Sequence, residues 1–180
     1  FEDVALWRAL KSVRNGFFVD LGAQHPVVDS VTRAFSDHGW RGVHVEPVPY
    51  YADLLRQDRP ADTVVEKAIG ASPGTMTLHV LDDSGLSTLD AAAARSGEKW
   101  LGRKARGIEV EVITLDMLLA PYEGRDIHFL KIDIEGAETA ALTGWTAARF
   151  RPWIILIEAT RPNSPDPAHA EWEPILLRND

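Results

Sequence analysis

Apolar residues recur along this chain with two periods, and the periods alternate. Val4, Leu6, Leu10 and Val13, with Trp7, fall at helical spacing and predict an amphipathic helix ending before Asn15-Gly16. Phe17 to Leu21 is a compact apolar strand, closed by Gly22-Ala23. Pro26 then stands at a first helical position, and Val27, Val28, Val31, Ala34 and Phe35 predict a helix running to His38-Gly39. A second strand covers 42–46, a second helix runs from Pro49 to Arg59, and a third strand runs from Thr63 to Ile69 before Gly70.

After the Ser72-Pro73-Gly74 turn the alternation changes character. Thr75 to Leu81 predicts a strand returning antiparallel to its predecessor. Residues 82–107 are polar, glycine-dotted and partly Ala-rich, a mobile excursion with some helix. Ile108 to Ile113 alternates strictly, with Glu109 and Glu111 on one face, and Thr114 caps a short helix ending near Pro121. A β-rich run over 127–134 breaks at Gly136 into an Ala-rich helix over 137–143. Trp153 to Glu158 is another buried strand, and His169 to Leu177 reads as helix. Five core strands, 17–21, 42–46, 63–68, 127–133 and 153–158, separated by helices, imply an α/β fold. The sheet is doubly wound and mostly parallel, in the order 3-2-1-4-5, within a single domain over 1–180.

Composition narrows the function. A formal net charge of −8 disfavours nucleic acid or an anionic membrane as the main partner. Absence of cysteine excludes disulfides, thiolate zinc sites and cysteine nucleophiles. With no apolar run approaching ~20 residues and no signal peptide, a cytoplasmic location without membrane insertion is expected. The chain begins at Phe1 without a methionine and is expected to be part of a longer polypeptide.

Four core strands end in an acid: Asp20, Glu46, Asp133 and Glu158. In the order 3-2-1-4-5 the switch point falls between the first and fourth strands, beside Asp20 and Asp133, where α/β sheets bind ligands. A crevice this acidic suits cations and polyols rather than phosphates. The turn Asp20-Leu-Gly22-Ala23-Gln24-His25-Pro26 lacks two glycines of a dinucleotide fingerprint, which argues against an NAD-type oxidoreductase. Glu46, 26 residues after Asp20, is placed to accept both hydroxyls of a ribose. Adenosine, positive charge and no phosphate together describe S-adenosylmethionine.

The same residues carry a family resemblance. Phe18-Val-Asp-Leu-Gly-Ala-Gln-His-Pro-Val, Ser30-Val-Thr, Phe35 and Gly39-Trp-Arg-Gly-Val-His-Val-Glu-Pro resemble the opening of FkbM-family methyltransferases. Lys131-Ile-Asp-Ile-Glu-Gly-Ala-Glu, Leu142, Gly144 and Pro152 to Glu158 extend the resemblance over nearly the whole chain. It implies a class I, Rossmann-like fold, S-adenosylmethionine as methyl donor, and O-methylation of a hydroxyl on a sugar, glycan or natural product. By the same resemblance, the Asp20–Gly22 turn with Ala23 and Gln24 holds the methionine end of the donor. Glu46 holds the ribose, Pro47 shapes that turn, Ala68 and Ile69 flank the adenine, and Asp133 and Glu135 face the reacting end of the donor. Such folds close with an antiparallel hairpin, for which this chain, stopping at Asp180, has no strands. Gln24 and Pro26 depart from the asparagine and glycine of many members.

For the chemical step Asp133 is the first candidate base, with Lys131 on the same strand face to keep it ionised. Glu135, Glu158 and His25 are runners-up, while Glu138 reads as a helix starter. Asp133 and Glu135 lack an obvious third ligand, so no metal is expected. Gly85-Leu-Ser-Thr-Leu reads as a lid, and Trp100 as the tryptophan best placed for acceptor contact; Trp145 and Trp153 read as core. The competing reading is a catalytically silent Rossmann-like interaction module of a larger glycan-assembly protein.

Overall fold

The structure, a computed structural model, describes residues 2–82, 84–161 and 164–178. The elements run α1 Glu2–Leu10, β1 Phe17–Leu21, α2 Arg33–Asp37, β2 Arg41–Val45, α3 Pro49–Asp58, β3 Thr63–Val65 and β4 Ala68–Ile69. They continue with β5 Gly74–Val80, α4 Ala91–Leu101, β6 Arg106–Ile113, α5 Leu115–Leu119, β7 Phe129–Ile132, α6 Glu138–Thr143, β8 Ile154–Ile157 and α7 Glu173–Leu177. Two compact units result. The first comprises 1–66, 125–132 and 151–156; the second comprises 67–124, 133–150 and 157–180.

In the first unit the sheet order is β3-β2-β1-β7-β8, the switch-point order expected of a doubly wound α/β sheet. β1 pairs in parallel with both β2 and β7, and β2 pairs in parallel with β3. All five residues of β1 are buried, as two-sided coverage of a parallel strand requires. Its core is aromatic. Phe18 stacks on Phe129 at 5.4 Å, Phe35 tilts onto Phe129 at 4.7 Å, and Trp40 meets Phe35 edge-on at 4.9 Å. Leu6 and Leu10 of α1 join the same cluster, so the first helix owes its place to burial of one stripe.

The second unit holds a three-stranded sheet in the order β4-β6-β5, with β4 parallel and β5 antiparallel to β6. β6 alternates as its sequence predicts, Glu109 and Glu111 exposed, Val110 and Val112 buried. In the excursion, the Asp90 carboxylate caps α4 by accepting from Ala92 N at 2.5 Å and Ala93 N at 3.0 Å. Gly102, at φ 68°, ends it.

Four expectations fail, each for a local physical reason. The helix expected from Pro26 forms only at Arg33–Asp37. His25 Nδ1 accepts from Val27 N and Val28 N, and Asp29 is left-handed at φ 54°, so the backbone is spent in turns. Val27 and Val28 are 53% and 60% exposed and give a helix no face to bury.

The third strand divides at Glu66-Lys67: Glu66 pairs with Arg56 of α3 at 2.8 Å, and Lys67 with Glu111 of β6 at 2.5 Å. Ala68–Ile69 therefore belongs to the second sheet. The strand at 74–80 consequently finds its antiparallel partner in β6 rather than in its predecessor. Finally, Trp153 is 55% exposed. Its indole lies against His128 at 4.4 Å and donates to Asp126 Oδ1 at 3.3 Å.

Candidate functional site

Two groups of strand-end residues stand out, one in each unit. In the first, β1 delivers Asp20 and the Gly22 turn, β2 delivers His44 and Glu46, and β7 delivers Lys131. Asp20 is 2% exposed. Its Oδ2 accepts from Thr32 Oγ1 at 2.9 Å and lies 3.7 Å from His44 Nδ1, and its Oδ1 faces Lys131 Nζ at 3.4 Å. Burial pushes its pKa up; the Lys131 ammonium, His44 and Thr32 overcome burial and hold it well below the usual carboxylate range. Asp20 is thus an internal anchor whose charge is met within the protein. Lys131 Nζ also donates to Gly22 O at 3.2 Å, tying β7 to the turn.

His44, a mid-strand histidine, bridges two acids: Nε2 lies 3.0 Å from Asp62 Oδ2 and Nδ1 faces Asp20. Burial lowers its pKa, but hydrogen bonding to Asp20 and Asp62 prevails and raises it. It is a core histidine held between two acids.

Glu46 follows β2 and is 4% exposed. One oxygen accepts from Gln24 N at 2.8 Å and the other from Val48 N at 2.8 Å. A carboxylate oxygen has two acceptor positions, so each keeps one for a ligand hydroxyl. Burial pushes its pKa up to about 7, against the opposing pull of the two backbone N–H groups. Gln24 itself is left-handed at φ 48° and Gly22 at φ 76°; a non-glycine held there marks a turn fixed by its surroundings. Ala23 is buried beside them.

The second unit carries Asp133, Glu135 and Glu158. One carboxylate oxygen from each lies within 4.8 Å of the others, all three residues being half-buried. β8 neighbours β7 in its sheet, which is how Glu158 becomes the third acid that the sequence did not supply for Asp133 and Glu135. Glu135 is left-handed at φ 53° and Gly136 follows at φ 96°, so the chain reverses sharply through the trio. Two devices hold this reversal. Glu138 Oε1 accepts from Ile134 N at 3.1 Å and Gly136 N at 3.2 Å; burial raises its pKa and these bonds oppose the rise. Thr88, 2% exposed, donates its Oγ1 proton to Glu135 O at 2.6 Å. The expected lid thus carries a fixed point at Thr88. Converging carboxylates can accept a proton, and as three hard oxygen donors they can also face a cation.

His25 is spent on its own loop, as described above. Ala68 and Ile69 are buried in β4 against Val112 and Ile113 of β6, and Pro47 stands between Glu46 and Val48. Trp100, 68% exposed, sits near the end of α4. Arg59 and Asp62 carry no spacing that the sequence could reveal, and Thr32 and Thr88, though they lie within the resemblance and the expected lid, had no individual role there.

The family model for the FkbM methyltransferase domain matches residues 20–180. A crystal structure of Methyltransferase FkbM from Methylobacillus flagellatus KT is similar at 21% identity and TM-score 0.46, covering 81% of this chain and 33% of that one. This chain therefore spans about a third of that relative's length. No curated protein matches. Among the described residues no helix is long and apolar enough to cross a membrane. The match takes in Asp20, Glu46, Asp133 and Glu158 alike, and the chain belongs to the FkbM methyltransferase domain family.

Proposed function

We propose that this domain is an S-adenosylmethionine-dependent O-methyltransferase acting on a hydroxyl of a sugar, a glycan or a natural product. The observation that carries the reading is Glu46: a buried carboxylate at the end of β2, fastened by Gln24 N and Val48 N, with one acceptor position left on each oxygen. A vicinal diol is the ligand that such a carboxylate matches. The absence of further glycines in the Asp20 turn weighs against a pyrophosphate there.

When bound, the donor supplies an electrophilic methyl group on a sulfonium. Glu46 would hold its ribose, and the turn from Gly22 to Gln24 its methionine end. Asp20 and Lys131 act on that turn from inside the protein. Asp133 takes the proton of the acceptor hydroxyl as the oxygen attacks, and Glu135 and Glu158 beside it are the alternates. The rest of the rate comes from alignment of the two reactants. A negatively charged domain that binds small or glycan acceptors, and not nucleic acid, fits the net charge of −8.

Calorimetric titration tests the donor. S-adenosylmethionine should bind and NADH should not; failure of both would favour a silent interaction module. Transfer of labelled methyl to a panel of nucleotide-sugars and oligosaccharides tests the acceptor class, and turnover with and without a chelator tests whether the three acids hold a cation. Asp133→Asn should bind donor within a few-fold of wild type yet lose methyl transfer by about 10²-fold or more. Near-normal turnover in that variant would move the proton to Glu135 or Glu158.

A further inference from the structure

Arg59 follows α3 and is only 6% exposed. An arginine out of water is costly unless its donors are met, and here they converge on one stretch of chain. Nη2 donates to Pro26 O at 2.5 Å and to Ser30 Oγ at 2.8 Å, while Nη1 donates to Thr32 Oγ1 at 2.7 Å. Thr32 Oγ1 in turn donates to Asp20 Oδ2 at 2.9 Å. Nε faces Asp58 Oδ2 at 3.6 Å, ion-pair rather than hydrogen-bond range. All these residues belong to the first unit.

Residues 22–32, which this fork grips, contain neither helix nor strand. The backbone there turns through positive φ at Gly22, Gln24 and Asp29. Left-handed non-glycine residues are disfavoured and persist only where the surroundings dictate them. A helix after β1 would supply its own hydrogen bonds; this segment is held by side chains instead, His25 within it and Arg59 from beyond it. Gln24 N, which binds Glu46, lies on the same segment.

We infer that Arg59 is a positioning residue for the donor turn: its guanidinium holds 26–32 in shape and, through the Thr32 hydroxyl, orients Asp20. Donor affinity then depends on a side chain that lies outside the turn itself. Lysine cannot replace it, because one ammonium on a flexible stem does not reproduce a planar fork with three acceptors. The inference rests on the reading of the Asp20 turn as the S-adenosylmethionine site.

Two measurements on Arg59→Lys, Thr32→Val and Thr32→Ser test it. The first is amide hydrogen exchange over 24–32 without donor, which does not depend on what the domain binds. Arg59→Lys and Thr32→Val should exchange faster there, while Thr32→Ser, which keeps the hydroxyl, stays near wild type. The second is the split between KM and kcat. The first two variants should raise donor Kd and KM about tenfold and leave kcat at saturating donor within about twofold. Should Arg59→Lys fail to fold, Thr32→Val carries both measurements.

Unchanged exchange in folded variants overturns the inference, and so does unchanged donor affinity where wild type binds. A wild-type protein that binds no S-adenosylmethionine overturns the functional reading instead, and the exchange data still decide whether Arg59 orders the loop.

Discussion

A carboxylate whose pKa lies at about 7 changes charge across the physiological range, and Glu46 is such a group. The hydroxyls of a ribose donate hydrogen bonds, so they favour its ionised form. Donor binding below pH 7 must then release a proton, and affinity falls by up to about tenfold for each pH unit below that point. Above it affinity levels off. Calorimetry in buffers of different ionisation enthalpy measures the released proton directly. Glu46→Gln should bind more weakly and lose the pH dependence; a pH profile unchanged in that variant would remove Glu46 from the donor contact. The candidate site was partly legible at this scale. Asp20, Glu46, Asp133 and Glu158 announce themselves because each is an acid that closes an apolar run. What cannot be read is direction: nothing in the letters turns Asp20 inward onto Lys131, Thr32 and His44. Nor does a single Arg59 betray that it is buried.

Strand pairing sets the next constraint. Phe18 of β1 stands opposite Gly42 of β2, and its ring covers the space where a side chain would begin: a Cβ built on Gly42 lies 2.2 Å from Phe18 Cε2. Phe18 is fully buried and stacked on Phe129, so it cannot withdraw. Gly42→Ala should therefore cost about 1–3 kcal/mol and lower the melting temperature by several degrees. Gly74→Ala, where nothing lies within 4 Å, should be close to neutral. Equal melting temperatures for the two variants would contradict the packing argument.

At this level the strand order of the first sheet follows from the sequence, since its five apolar runs are each separated by a helix-bearing connection. Polar side chains decide two of the elements that differ. At 26–35 His25 and Arg59 hold the backbone in turns while Val27 and Val28 find no surface to bury, and at 63–69 Glu66 and Lys67 find separate partners. Periodicity records burial along one segment and is silent about such partners.

Across the whole molecule, Asp20, His44 and Glu46 shape how stability varies with pH, and Glu46, by the proposed diol contact, ties donor binding to the same axis. Asp20 is held below its ordinary pKa, so its stabilisation is present above the ordinary carboxylate range and fades as pH falls through its folded value. His44 is raised, so its contribution is complete below the ordinary histidine range and fades as pH rises through its folded value. Glu46 is raised as well: its contribution is complete below the ordinary carboxylate range and is lost as pH rises through about 7. Without donor, the three together favour roughly pH 4–6 and weaken towards alkaline pH. The net charge of −8 adds self-repulsion in the same direction.

On the proposed diol contact, donor binding should follow the opposite slope, because it would use ionised Glu46. A ligand that binds only the folded state raises stability with the logarithm of its concentration over Kd. The donor-induced rise in melting temperature should therefore grow from pH 5.5 to pH 8 while the melting temperature of the free protein falls. Thermal melts with and without S-adenosylmethionine over that range measure both slopes. Glu46→Gln separates the causes: it keeps the charge-repulsion part of the alkaline decline and loses the Glu46 part. A donor shift that stays flat with pH would mean that the buried carboxylate titrates without regard to the ligand, and the diol contact at β2 would have to be abandoned.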